Sequence, residues 1–336
     1  MLHRPAGEVG AGRPKFRPPS AKNHPQAAPQ PGFPQGAARG AYAGRAPGIS
    51  SAMMIRSDHP MLAPVHLRKE LLARGFNDRA IARAVAAGQL QRLRHGSYAG
   101  TDSWRQLDDA GRHGLVARAV LRRAGTGAFL SHTSALPFWR IPTWGFDLEV
   151  SHLTRTDGKA GRKEAGVRQH RGRVRNGDIE DVHGVPVASV PRALIELTTI
   201  GSVEACLCAW NEALHRKLTT AADIEARFVA SAENSDPMDH WPGTLKTDLM
   251  LHLADGRVET VGESRTFFVC WQHNLPIPTP QYEIRDAFGQ VVHRVDFAFP
   301  DYGCGWSSTD SSSTPSSSAR TRRSVTSSCV RSSVRT

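Results

Sequence analysis

Cysteine is scarce in this chain of 336 residues, and the five cysteines form no C-x-x-C pair. Cys206 and Cys208 stand two apart, a spacing that suits neither a zinc knuckle nor a redox loop. No apolar run reaches the roughly 20 residues that a membrane-spanning helix needs. The N-terminus has no apolar core of the kind found in signal peptides. These absences predict a reduced, cytoplasmic protein without a membrane partner.

Acidic residues are too few to balance the basic ones, so the formal net charge is +12. Most of the excess lies near the ends, where residues 1–53 carry seven Lys/Arg against one Glu and residues 303–336 carry five Arg against one Asp. Between them, residues 54–102 hold eight basic and four acidic residues. This local excess, more than the global charge, indicates a nucleic-acid-binding surface.

Apolar periodicity is missing from both ends of the chain. Residues 1–53 are rich in Pro, Gly and Ala and are expected to be a disordered basic tail, because they cannot bury enough apolar surface to fold. This tail is either an arm that strengthens DNA contact or the product of a start codon assigned too early. The second explanation is favoured, because recognisable sequence begins just after Met53 and Met54. Residues 303–336, with 13 Ser and five Thr, are expected to form a second disordered tail.

The clearest pattern of elements lies in residues 65–98. Apolar residues at helical spacing predict a first helix that ends at Gly75, and Asn77 is placed to cap a second one. Two short strands joined by a basic turn follow. This order predicts a winged helix-turn-helix domain over 54–102, whose second helix enters the major groove while the wing contacts phosphates or a minor groove. The predicted DNA-binding residues are Arg79, Arg83, Arg92, Arg94 and His95. The alternative is a small helical domain with a merely solvated basic face.

Three segments carry a resemblance to a known family. They are LLARGFNDRAIARAVAAGQLQRLRHGSYAG (71–100), LSHTSALPFWRIP (130–142) and VHGVPVASVPRALIELT (182–198). In this order they resemble the AbiEi-type antitoxins of type IV toxin–antitoxin systems, over most of 62–198. The resemblance implies a DNA-binding regulator that binds a double-stranded operator, represses its own operon and counters a nucleotidyltransferase-type toxin. It implies no cofactor for DNA binding, and it assigns toxin neutralisation to an α/β region over 103–235.

The middle of the chain offers a possible nucleophile that we do not favour. Ser131-His132-Thr133-Ser134 invites comparison with a hydrolase, but no G-x-S-x-G elbow is present. Ser131 is instead expected to cap a short helix, and His132 to pack or hydrogen-bond locally. Around this segment, apolar spacing predicts one helix over 104–124 and alternation predicts a strand over 146–151.

A second resemblance covers the C-terminal part. GESRTFFVCWQHNLPIPTPQYEI (262–284) and GQVVHRVDFAFPDYG (289–303) resemble the start of a restriction-endonuclease-like domain, similar to very-short-patch-repair nucleases. In that fold a helix Glu, a strand Asp, a Glu on the next strand and a nearby Lys gather a divalent metal such as Mg²⁺. Glu263 and Asp296 match the first two positions. The resemblance therefore implies that both are metal ligands and catalytic residues, and that the alternative function is a metal-dependent DNA endonuclease.

The rest of that nuclease site is missing, since no Glu or Lys follows Asp301. Residues 236–302 are thus predicted to be an incomplete endonuclease-like domain, with Glu263 and Asp296 vestigial and Mg²⁺ needed only by an intact relative. The Ser-rich sequence after Tyr302 is either a linker-like tail or the product of a frameshift. With one G added in front, codons for 306–308 can be read as Val-Val-Glu, the strand that would carry the missing glutamate.

The predicted fold class is therefore α+β. It comprises an N-terminal winged helix-turn-helix, a middle α/β region, an incomplete C-terminal restriction-endonuclease-like domain and disordered tails.

Overall fold

The computed structural model describes residues 54–125, 127–158, 161, 163–229, 238, 241 and 243–307. Helices and strands are mixed along this part of the chain, which confirms the coarse prediction of α and β elements in several sheets. The two predicted tails, residues 1–53 and 303–336, lie outside the described residues except for 303–307.

The first elements follow from local sequence signals. Asn77 accepts the backbone N–H of Ala80 at 2.8 Å and so caps the second helix, as predicted. Gly75, at φ 90°, provides the left-handed turn between the two helices. The third strand pairs antiparallel with both the first and the second. The elements are β1 (His66–Leu67), α1 (Arg68–Ala73), α2 (Asp78–Ala86), β2 (Leu90–Arg94) and β3 (Ser97–Gly100).

Replacing Asn77 by alanine is expected to lower the free energy of unfolding by about 1 kcal/mol, because an N–H in the first turn of α2 loses its acceptor. Urea unfolding of the full chain measures the difference. Asn176→Ala, at an exposed turn position, is the matched control and should change little. Equal effects of the two substitutions would contradict a capping role.

A mixed sheet forms the middle of the chain, in the order β6-β7-β5-β4-β9-β8. The pairs β5/β7 and β4/β9 are parallel, and the other neighbours are antiparallel. The strands are β4 (Ala128–Leu130), β5 (Ser151–Arg155), β6 (Lys163–Glu164), β7 (Val167–Arg171), β8 (Ile179–Val182) and β9 (Val185–Ala188). The helices here are α3 (Thr101–Arg105), α4 (Asp109–Ala124), α5 (Leu136–Trp139), α6 (Val190–Thr198), α7 (Val203–His215) and α8 (Ala221–Phe228).

Two predictions for this region were wrong. The helix predicted over 104–124 is broken into α3 and α4, because Asp108 accepts the N–H of Gly111 and starts a new helix. The strand predicted over 146–151 is absent, and β5 begins only at Ser151. Asp147 instead accepts the N–H of Glu149 at 2.8 Å in a turn. The alternation of apolar and polar residues therefore predicted a strand where the chain turns.

Two helices and an antiparallel sheet of order β10-β11-β12 complete the described chain. The strands predicted over 281–285 and 291–299 are present. The predicted domain boundary after Tyr302 falls inside this sheet, because residues 304–306 pair with residues 297–299. No helix among the described residues is long and apolar enough to cross a membrane. The elements are α9 (Leu245–Leu253), α10 (Val261–Gln272), β10 (Thr279–Arg285), β11 (Val291–Phe299) and β12 (Cys304–Trp306).

Candidate nucleic-acid interface and histidine cluster

Three of the predicted DNA-binding arginines have exposed side chains. Arg79 and Arg83 lie on α2, and Arg92 lies on β2. Among the described residues none of the three forms an ion pair, whereas Arg68 on α1 is paired with Asp78 at 2.6 Å. A guanidinium group without an internal partner is available to a phosphate or a base edge. This surface, Arg79, Arg83 and Arg92, is called the α2–β2 basic surface below.

Arg94 differs from the other four predicted residues because its guanidinium is already engaged. It donates to the carbonyl oxygens of Gly166 at 2.8 Å and Ala165 at 2.6 Å, just before β7. Arg94 therefore holds the β2–β3 hairpin against the middle sheet. His95 is exposed, and its carbonyl oxygen accepts a hydrogen bond from Arg123 at 2.9 Å.

The basic face of α4 is also used within the protein. Arg118 donates to the carbonyl oxygens of residues 61 and 63, and burial lowers its pKa to about 10. Arg122 pairs with Glu70 at 2.7 Å. Together with Arg123, these side chains fix the first helices and the hairpin on α4. Arg118, Arg122 and Arg123 of α4 are thus engaged within the protein, whereas in the described part of the chain the three arginines of the α2–β2 basic surface are not.

The two predicted nuclease carboxylates lie on α10 and β11. Glu263 is buried, and it accepts hydrogen bonds from the N–H of Glu259 at 3.0 Å and the hydroxyl of Thr260 at 2.9 Å. It thus helps to cap α10. Asp296 accepts a hydrogen bond from Ser307 at 3.3 Å. Among the described residues, neither belongs to a group of three or more His, Cys, Asp or Glu side chains placed to share one metal ion. Their vestigial role stays a prediction.

A cluster of three histidines was missed by the sequence reasoning. His132 begins a short 3-10 helix, His152 lies on β5 and His170 lies on β7. The last two come together because β5 and β7 are parallel neighbours, and their Nδ1 and Nε2 atoms share a hydrogen bond of 2.9 Å. Ser131, predicted to cap a helix, instead bonds through its hydroxyl to His132 Nδ1 and Thr154. The only local signal was histidine within strand-like sequence, which is common without any site.

The cluster is neutral at neutral pH because protonation inside the protein is unfavourable. Burial and mutual repulsion lower the pKa of His152 to about 3 and that of His132 well below its usual value. Burial and the charge of Arg168 lower the pKa of His170 to about 4. An uncharged imidazole is the form that coordinates metal ions.

A buried ion network supports the cluster from α6. Arg192 is fully buried and pairs with Asp178 at 2.6 Å and with Glu196 at 2.8 Å. Arg227 on α8 pairs with the same Asp178 at 2.7 Å. Burial opposes ionisation of Asp178, but the two arginines hold its pKa below the ordinary value. Glu196 also accepts the backbone N–H of His132 at 3.1 Å, which joins the network to the histidines.

A cavity of about 710 Å³ opens beside the histidines. His152 and Thr133 are among its lining residues, and the positive charges of Lys163 and Arg168 are offset by Asp147 and Glu164. The cavity therefore gives small solutes a route to His152.

Comparisons with known proteins identify relatives without a known role. No family model matches the chain. Two Mycobacterium tuberculosis proteins are each 42% identical to it over 59 residues: the uncharacterized protein MT2308 of strain CDC 1551 / Oshkosh and the uncharacterized protein Rv2248 of strain ATCC 25618 / H37Rv. The match covers 18% of this chain, and the chain spans only 21% of the length of either relative.

Proposed function

We propose that the protein is a DNA-binding transcriptional regulator whose residues 54–102 act as a winged helix-turn-helix. One observation carries the proposal: α2 exposes Arg79 and Arg83 without internal ion pairs. The element order supports it, because β1, two helices joined by a tight turn, and the β2–β3 hairpin correspond to the parts of a winged helix. In this arrangement α2 enters the major groove and the hairpin, with Arg92, lies along the backbone of the duplex.

The wider role that we propose follows the resemblance to AbiEi-type antitoxins. The protein binds the operator of its own operon, represses it, and counters a nucleotidyltransferase-type toxin through residues 103–235 in the cytoplasm. DNA binding of this kind needs no cofactor, because protein groups contact the phosphates and the base edges directly. An incomplete endonuclease-like domain over 236–302 stays part of the proposal and has no catalytic role in it.

Replacing Arg79 and Arg83 together by alanine is expected to weaken DNA binding by at least about tenfold, since a lost arginine contact costs about 1–3 kcal/mol. The measurement is a fluorescence-anisotropy titration of the full chain with duplex from upstream of its gene. If both arginines contact phosphates, the slope of log affinity against log salt should fall by about two units.

The matched control for this pair is Arg257→Ala with Arg285→Ala, which removes the same charge from exposed positions outside the α2–β2 basic surface. The control should bind like the unaltered protein. Equal weakening by both double variants would mean that only net charge matters. No binding by the unaltered chain, even at low salt, would refute the proposed function.

A further inference from the structure

We propose that His132, His152 and His170 form a binding site for one Zn²⁺ ion per chain. The site stands apart from DNA recognition, because none of its members belongs to the α2–β2 basic surface. It is built from three places far apart in sequence, which the order of strands in the middle sheet brings together.

The first argument is geometric. One nitrogen from each ring lies within 4.8 Å of the others, and no other group of three or more His, Cys, Asp or Glu in the described part does the same. Two imidazoles bound to one tetrahedral Zn²⁺, with bonds of about 2.0–2.1 Å, have ring centroids roughly 5.2 Å apart. The centroids of His132 and His152 are 5.3 Å apart, and those of His152 and His170 are 5.1 Å apart.

The rings of His132 and His170 have to move before they can bind the same ion. His132 and His170 are stacked with centroids 3.8 Å apart and ring planes 19° apart. Because a metal ion lies in the plane of each imidazole that binds it, Zn²⁺ binding must rotate one ring out of the stack and separate the two centroids by roughly 1.4 Å. The contact between His152 Nδ1 and His170 Nε2, 2.9 Å at present, must widen to roughly 3.3 Å. Because His170 is only partly buried, its side chain is the one able to make this adjustment.

The second argument concerns the polar and charged groups that surround the proposed ligands. Nδ1 of His132 bonds to Ser131 at 3.1 Å and lies 3.6 Å from a carboxylate oxygen of Glu196. The Ser131 hydroxyl therefore orients the ring through Nδ1 and leaves Nε2 for the metal, whereas the Glu196 oxygen is beyond hydrogen-bond distance of the ring. The carboxylates of Asp178 and Glu196 are balanced by Arg192 and Arg227, so the buried ion network neither attracts nor repels the ion through a net charge. The exposed Arg168 opposes the ion.

The third argument is access. His152 lines the cavity of about 710 Å³, so an ion can enter from solvent without unfolding the sheet. The same cavity can place water in the fourth coordination position, as in three-histidine zinc sites with an open ligand position.

The test is a calorimetric Zn²⁺ titration of the full chain after chelator treatment. We expect one ion per chain, and visible d–d absorption of tetrahedral type when Co²⁺ replaces Zn²⁺. His170→Gln should weaken Zn²⁺ binding by at least about 100-fold, because even the loss of a residue that hydrogen-bonds to a metal ligand lowers the affinity about 10–100-fold. Zn²⁺ should raise the melting temperature of the unaltered chain and not that of the variant.

The matched control is His252→Gln, an exposed histidine on α9 that lies outside the cluster and should leave the affinity unchanged. Circular dichroism without metal checks that the variants are folded, and His152→Gln replaces His170→Gln if the latter is not. Absence of stoichiometric binding by the unaltered chain, or unchanged affinity in a folded cluster variant, would identify the histidines as a hydrogen-bonded core cluster only. Neither result depends on DNA binding.

Discussion

Arg192→Met is expected to lower the free energy of unfolding by about 3–5 kcal/mol, the typical cost of breaking a buried ion pair from one side. Methionine keeps the apolar stem of the side chain but not the guanidinium, so the loss comes from the missing charge and its packing. Asp178 and Glu196 both lose their bond to Arg192 inside the core, and Glu196 is left without a positive partner among the described residues. Urea unfolding of the full chain measures the difference.

The control for this substitution is Arg257→Met. Arg257 pairs with Asp255 at 2.7 Å, but its side chain is 60% exposed, so the change should cost at most about 1 kcal/mol. A combined Arg192→Met and Glu196→Gln variant should be less destabilised than the sum of its parts, because the unpaired charge is removed. If Arg192→Met behaves like the control, the network does not stabilise the fold.

Acidification is expected to destabilise the metal-free protein between pH 6.5 and about 4 through the histidine cluster. In the unfolded chain each imidazole takes up a proton near pH 6.5. In the folded chain the pKa values of His152 and His170 are lowered to about 3 and about 4. The unfolded chain therefore binds more protons in this window, so stability falls as the pH falls. Each unit of difference in pKa corresponds to about 1.4 kcal/mol.

Urea unfolding at several pH values between 7 and 4 measures this dependence, and the slope should be smaller in His170→Gln. The charged or titratable groups that face the cluster are His113, Arg168, Arg192 and Glu196. His113 also has a lowered pKa because of burial, so some slope must remain in the variant. An identical slope in the variant would contradict a lowered pKa of His170 in the folded chain.

The elements that sequence predicted best are those stabilised within a few residues. Asn77 bonds to a backbone N–H three residues later, and Gly75 supplies a positive φ at the turn, so both signals are readable without a partner. The break before Asp109 was missed because apolar spacing continues across it. The strand predicted over 146–151 does not form, because the Asp147 side chain accepts the backbone N–H of Glu149 in a turn.

The candidate sites depended more on contacts between distant residues. The sequence singled out Arg94 with Arg92, but the pairing of β2 with β3 and the approach of residues 165–166 turned Arg94 inward. The histidine cluster needed the parallel pairing of β5 with β7, since no spacing rule relates His132 to His170. Local sequence patterns do not show which distant strands become neighbours.

Local composition alone determined the helix pair, its cap, the adjacent hairpin and the concentration of basic residues within 54–102. These follow from backbone hydrogen bonds and side-chain propensities over short separations. Only the tertiary structure decided which arginines stay exposed, that Glu263 helps to cap a helix, and that two buried histidines and one partly buried histidine lie together. Those outcomes come from long-range strand pairing and packing, where burial shifts pKa values and hydrogen-bonding partners are chosen by proximity in space.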